Sequence, residues 1–361
     1  MKTLLLDIVP LTLLSLASAI LLFPVLIKIS PYLGMVDQPN LRKVHVHPIP
    51  AIGGFIIVLC LLIPALFSGL LWTFIIAHKT IYLTLVSMML IGLLDDRWDL
   101  PVKLRLVVQL GCATAIAVAG IRLTSLYGFM GIHELSAFPQ YIITVLIIMG
   151  VVNAFNLIDG IDGLVGSLGF ISILVLIVMS ILSHHTEWLL LLVPLASAIS
   201  VFLKYNWKPA QVFMGDSGSL TIGFVVSTLG IYFIQSAQLK TPHLTPFFIV
   251  LITACCMIPV LDSVRVYLTR IWKGKSAFSA DKTHLHHLLI HHHLMHSNAT
   301  HKIIRLQILL LVFSLAAICL FSIVWVIILQ VLMVIFYIYS LQVMTYFYRW
   351  YRFIKKMEIA N

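Results

Sequence analysis

Residues 305–349 read RLQILLLVFSLAAICLFSIVWVIILQVLMVIFYIYSLQVMTYFYR. Between Arg305 and Arg349 stand 43 residues without a charge. A bilayer core takes roughly 20 residues of helix, so this run is too long for one crossing and suits two, joined by a tight turn near Phe321 to Ile323. Working outward, further apolar runs of spanning character occur near residues 8–29, 51–71, 80–94, 106–121, 139–157, 163–183, 188–203, 217–235 and 247–268. Together they predict an all-α, polytopic integral membrane protein of about eleven transmembrane helices. Composition agrees: 61% of the 361 residues are apolar and 10% charged, and mean hydropathy is +1.08. The loops are too short for large soluble domains.

The net charge is +10, but no basic stripe with interleaved aromatics appears, which excludes a nucleic-acid partner. The basic residues fall between apolar runs and report topology. Assigned to alternate loops, 19 of the 23 Lys and Arg lie on one side. Positive residues near span ends stay cytoplasmic, so the N-terminus is predicted outside and the C-terminus in the cytoplasm. Residues 1–19 imitate a signal peptide, but the apolar run continues to Ile29, which favours an uncleaved first span. Cys60, Cys112, Cys255, Cys256 and Cys319 all lie in apolar segments, where cysteine behaves as a small hydrophobe. Neither a disulfide framework nor a cysteine zinc site is expected.

Ten of the thirteen acidic residues gather at the cytoplasmic side, where clustered ionisable groups at span ends mark function. The third span ends in Asp95-Asp96-Arg97-Trp98-Asp99, with Lys103 close behind. Adjacent carboxylates repel unless a cation or proton intervenes, which suits a magnesium-phosphate site or a base of raised pKa; an isolated Asp pair also fits a solvated helix end. The fifth span ends in Asn153-Ala-Phe-Asn156-Leu-Ile-Asp159-Gly-Ile-Asp162-Gly163. If the helix continues, its polar groups share one face, where carboxylate and amide oxygens can ligate a hard cation; a hydrogen-bonded packing seam between helices is the alternative.

Asn206 to Ser219 forms a Gly- and Ser-containing loop entering a helix, with Phe213, Gly215 and Asp216 inside it. Backbone N–H groups there can cradle phosphate, Asp216 offers a metal ligand and Phe213 a face for a nucleobase; a capped helix start fits equally. His284, His286 and His287 precede His291, His292, His293 and His296. Without His-Glu-x-x-His or a Cys pair, imidazoles contacting a diphosphate fit better than zinc. The first cytoplasmic loop carries Asp37, Arg42, Lys43 and His45, cations suited to phosphate.

In this order, Asp37-x-Pro-Asn-x-Arg-Lys-x-His, Asp95-Asp96-x-x-Asp99, Asn153-Ala-Phe-Asn-x-x-Asp-Gly-x-Asp162, Val212-Phe-Met-Gly-Asp216 and His284-x-His286-His287 closely resemble the polyprenyl-phosphate N-acetylhexosamine-1-phosphate transferases. The resemblance covers roughly residues 8–346. The His-x-His-His pattern is similar to the bacterial undecaprenyl-phosphate N-acetylglucosamine-1-phosphate transferases that initiate O-antigen, related glycans or teichoic acid. The phospho-MurNAc-pentapeptide branch typically has three consecutive histidines followed by an acidic residue, and here Leu288 and Leu289 follow instead.

The resemblance implies transfer of a sugar 1-phosphate from a UDP-N-acetylhexosamine to undecaprenyl phosphate, releasing UMP, at the cytoplasmic side of the bacterial inner membrane. It implies Mg²⁺, or Mn²⁺ in its place, on Asn156 and Asp216. It places the uracil near Phe213 and Asn206, and the diphosphate near Lys43 and His284 to His287. Asp95 and Asp96 would orient or deprotonate the acceptor phosphate, which Lys103 helps to hold. Asp159 and Asp162 serve donor positioning or catalysis, and Asn153 and Gly215 substrate binding. Residues 1–348 would form one transmembrane catalytic domain and 349–361 a basic cytoplasmic tail, with the bilayer as surroundings and a homodimer as a candidate assembly. The competing class is a transporter of polyprenyl-linked or phosphorylated solutes, which would call for related halves and groups near mid-membrane.

Overall fold

The computed structural model describes residues 2–38, 48–129, 131–207, 209–274, 285, 289 and 296–360. Its helices are α1 (Lys2–Ile29), α2 (Gly53–Leu62), α3 (Gly69–Ala77), α4 (Lys79–Trp98), α5 (Val102–Val118), α6 (Ala137–Ile158), α7 (Leu164–Leu182), α8 (Leu189–Asn206), α9 (Gly215–Lys240), α10 (Thr245–Trp272), α11 (His296–Ala317) and α12 (Ile323–Ala360).

Among the described residues eight helices, α1 and α6 to α12, are long and apolar enough to cross a membrane. This is the architecture of a polytopic membrane protein. The long uncharged run at 305–349 divides into α11 and α12, with the break between Ala317 and Ile323. The predicted second span differs: after a 3₁₀ turn at Ile63–Leu66 the chain bends by 116° into α3. Pro64 stands in that turn, and the Ser68 hydroxyl restarts a helix by accepting the Leu71 N–H at 3.2 Å, as an N-cap does. Counted as one span, this bent pair makes a ninth candidate. The third and fourth predicted crossings are α4, which carries Lys79, Asp95, Asp96 and Arg97, and α5, of only 17 residues. Both fall short of the same standard of length and apolarity.

The chain is not purely α. Strands β1 (Val36–Asp37) and β2 (Ile49–Pro50) pair antiparallel, Val36 opposite Pro50. Strands β3 (Ser125–Phe129) and β4 (Ile132–Glu134) form a second hairpin, its turn passing through Gly131 at φ +75°, a conformation glycine adopts without steric cost. Cys319 also departs from the sequence reading: it is exposed in the break between α11 and α12, while the other four cysteines are buried.

Helix α9 is the axis of the bundle. Within its best spanning window 94% of residues are buried, against 28% for α1 and 22% for α12 on the rim. It packs against α2, α4, α6, α7 and α10, and its sequence explains how so many neighbours fit. Ser217, Gly218, Ser219, Thr221, Gly223 and Ser227 are small, which lets backbones approach where apolar bulk would hold them apart. Hydroxyls of Ser219, Thr221 and Ser227 donate to carbonyls four residues earlier at 3.1, 2.6 and 2.8 Å, satisfying groups that would be costly to bury unpaired.

Candidate active site

The first turn of α9 is wedged between α2 and α4 at backbone distance. A Cβ on Gly54 would lie 2.0 Å from the Gly218 Cα, and one on Gly92 would lie 2.4 Å from the Ser217 nitrogen. Only glycine permits either crossing. The loop before α9 is laced to the start of α2: the Gly53 and Gly54 N–H groups donate to the Phe213 and Met214 carbonyls at 2.9 and 2.8 Å, and the Phe213 N–H donates to the Pro50 carbonyl at 2.7 Å. Chain segments far apart in sequence thus fix where Asp216 stands.

Asp96, at the end of α4, accepts the backbone N–H groups of Asp216 at 2.8 Å and Ser217 at 3.2 Å. A carboxylate from one helix therefore caps another, satisfying its orphan donors and meeting the positive end of its dipole. Of the two readings of the Gly-Ser loop, the capped helix start is the one seen here: those two amides hold Asp96. Asp95 accepts the Leu100 N–H at 2.7 Å, closing the turn in which Asp99 takes φ 48°. From the first turns of α5, Arg105 donates through Nη1 to Asp95 and, at 2.6 Å, to Asp216.

Asn153 and Asn156 project from α6. The Asn153 amide donates to Gln109 Oε1 at 2.7 Å and to the Met149 carbonyl at 2.8 Å. The Asn156 amide donates to the Ser219 hydroxyl at 3.1 Å. The helix stops at Ile158, so Asp159 and Asp162 do not continue its face. They lie in the bend that leads to Gly163 at φ +75°. Burial, with the Asp96 and Asp162 carboxylates nearby, pushes Asp159 up to about 8. The Asp162 carboxylate accepts the Ala210 N–H at 3.4 Å, while its carbonyl accepts the Thr300 hydroxyl at 2.8 Å.

Asn206 is buried, and both ends of its amide engage main chain: Oδ1 accepts the Gly163 N–H and Nδ2 donates to the Val212 carbonyl, each at 2.8 Å. That is the geometry of a clamp between the α6–α7 bend and the loop before α9. Phe213 is half-buried in that loop, Gly215 opens α9 at φ +71°, and Lys103 is exposed on the first turn of α5.

Lys43, His284, His286 and His287 lie outside the described residues. Leu285, between two of those histidines, is described: it is buried, and its N–H donates to Asp262 Oδ1 at 2.9 Å. Asp262, itself buried on α10, also accepts Arg265 Nη2 at 2.7 Å.

Arg105 and Gln109 join or brace the cluster without having been singled out from sequence. Arg105 carried a signal, a charge at a span end beside a carboxylate motif, that positive-inside topology absorbed. Gln109 carried none. Among the described residues no three His, Cys, Asp or Glu side chains form a metal cage. Oxygen donors nevertheless predominate: Asp95, Asp96, Asp159 and Asp216, with the Asn156 amide beside them. Such a set suits a hard cation that takes one or two carboxylates and completes its shell with phosphates and water.

The signature of glycosyl transferase family 4 matches residues 79–234, a range that contains Asp95, Asp96, Arg105, Asn156, Asp159 and Asp216. An undecaprenyl-phosphate alpha-N-acetylglucosaminyl 1-phosphate transferase of Escherichia coli (strain K12) is 31% identical over 275 residues, 73% of this chain and 71% of the relative. Proteins of the same name from Salmonella typhi and Yersinia pestis are 32% and 30% identical over stretches of the same extent.

Proposed function

The chain belongs to glycosyl transferase family 4 and is a phosphotransferase; from that premise we propose that it transfers N-acetylglucosamine 1-phosphate from UDP-N-acetylglucosamine to undecaprenyl phosphate, the step that initiates a cell-surface polysaccharide. The observation that carries the reading is the joining of Asp95, Asp96 and Asp216 by one guanidinium and one helix start. Phosphoryl transfer asks little covalent chemistry of a protein and much positioning and charge neutralisation.

In the proposed reaction an oxygen of the lipid phosphate attacks the β-phosphorus of the donor. The anhydride bond to the α-phosphate breaks, UMP leaves, and a lipid diphosphate sugar remains. Mg²⁺, or Mn²⁺, would be held by Asp216 and Asn156 and would supply neutralisation of the diphosphate oxygens. Asp95 and Asp96 orient the acceptor phosphate, with Lys103 as its cation. Asp159 and Asp162, in the bend after α6, position the donor. Phe213 meets the uracil ring, while Lys43 and His284 to His287 meet the diphosphate. Asn153 and Gly215 line the donor site, and Asn206 acts through the loop it clamps. Transfer is direct, because a lipid phosphate is already an anionic nucleophile and a covalent aspartyl-phosphate would add a step without need.

The site faces the cytoplasm of a bacterial inner membrane, with eleven crossings, an outer N-terminus and a cytoplasmic tail at 349–361. The test is UMP release by purified protein given undecaprenyl phosphate, Mg²⁺ and a panel of UDP-sugars. UDP-N-acetylglucosamine should be the best donor. Preference for a UDP-MurNAc-pentapeptide would move the chain to the peptidyl branch, and failure to release UMP from any UDP-sugar of the panel would defeat the reading.

A further inference from the structure

Arg105 occupies ground that the proposed reaction gives to a metal. Its Nη1 serves Asp95 on α4 and Asp216 on α9 at once, the latter at 2.6 Å. Carboxylates this close repel unless a positive group sits among them, and Arg105 supplies it here. The pair does not behave as a buried brace. Arg105 and Asp216 side chains remain 23% and 28% exposed, against 8% for Asp95. Nor does Asp216 hold the helix start, since that work falls to Asp96. A divalent ion on Asp216 would share one carboxylate with Arg105, which already engages Oδ2, and carries charge of the same sign, so each cation weakens the other's hold on Asp216.

Resting on the assignment of Asp216 to the metal, we propose that Arg105 is an exchangeable counter-ion: it neutralises Asp216 while the metal is away, is displaced from Asp216 when the ion binds, and keeps its hold on Asp95. Metal affinity is then set by the difference between two cations competing for one carboxylate. Arginine suits the role because its guanidinium stays charged and its several donors let it release one oxygen without losing the other.

The test is Mn²⁺ binding alone, followed by electron paramagnetic resonance on the purified full-length protein without nucleotide or lipid. Arg105→Gln should bind Mn²⁺ about tenfold tighter than the unsubstituted protein, a Coulomb effect discounted for partial exposure. Unchanged or weaker binding would overturn the exchange, because a bracing residue would lower affinity when removed. A second measurement needs no variant: phenylglyoxal modification of Arg105, read by mass spectrometry, should speed up several-fold as Mn²⁺ saturates the site. A rate unchanged or slowed by Mn²⁺ would overturn the proposal even if Arg105→Gln failed to fold. UMP release with unaltered Mn²⁺ affinity would sink the exchange and leave the transfer reading standing. Tighter Mn²⁺ binding in a protein that releases no UMP would do the reverse.

Discussion

Gly92→Ala tests the backbone wedge that fixes Asp216. The added methyl would lie 2.4 Å from the Ser217 nitrogen and 2.5 Å from the Asp216 carbonyl carbon, where ordinary contact begins at 3.4 Å. Both neighbours are main chain, so relief requires the start of α9 to retreat from α4 by about 1 Å, and a misplacement of that size costs on the order of 100-fold in rate. Overpacking adds about 1–3 kcal/mol of destabilisation, which a fold with this much buried surface tolerates. The control is Gly111→Ala on α5, where an added Cβ meets nothing within 4 Å; there alanine should gain about 0.5–1 kcal/mol through helix propensity. Purified variants would be compared by UMP release at saturating substrates and by thermal unfolding in detergent. Gly92→Ala should keep a cooperative transition at lowered temperature and lose activity about 100-fold, while Gly111→Ala stays active. Activity within about twofold of the parent in a folded Gly92→Ala protein would refute the claim that this crossing positions the site.

Asn206→Ala should destabilise by about 2–4 kcal/mol, because it orphans the buried Gly163 N–H and Val212 carbonyl together; a melting temperature within 2 °C of the parent, roughly the effect of under 1 kcal/mol, would reject the clamp. Asp159, pushed up to about 8 by burial and its carboxylate neighbours, holds a proton below that pH in the free enzyme. If the ionised form positions the donor, kcat/KM should fall about tenfold per unit as pH drops below about 8, and Asp159→Asn should be slow without that limb; a flat profile through this range would show that donor positioning does not depend on the Asp159 charge. Tags at residues 1 and 361 should report opposite sides of the membrane, since 19 of 23 basic residues segregate to one side; finding both on one side would defeat the eleven-span topology.

What was legible in the sequence was local. Apolar runs announced the helices, and the uncharged stretch from Arg305 to Arg349 announced its own division. The Asp-Asp and Asn-x-x-Asp motifs stood out because carboxylates at span ends are rare and costly. What was hidden depended on distant pairs. Asp96 caps a helix 120 residues away, and Arg105 reaches Asp216 across 111. No periodicity encodes either bond. Asn206 shows the converse: the resemblance set it near the uracil, and in the structure it is buried with both ends of its amide on main chain. The end of α6 at Ile158 was legible, since the apolar run stops near residue 157; the polar face beyond it, which required the helix to continue, does not form, because Gly160 and Gly163 favour leaving the helix. The bend between α2 and α3 was missed because hydropathy averages over direction, leaving only Pro64 and Ser68 to mark it.

The central claim is that this carboxylate cluster moves a sugar phosphate onto a lipid. The direct measurement uses purified protein in vesicles containing undecaprenyl phosphate, with Mg²⁺ and UDP-N-acetylglucosamine labelled at the β-phosphate. The account predicts label in the lipid, one UMP per labelled lipid, and no label retained on the protein when the acceptor is omitted. Label that stays in the nucleotide while Gly111→Ala and parent proteins are fully folded, or label that leaves as inorganic phosphate, would contradict it.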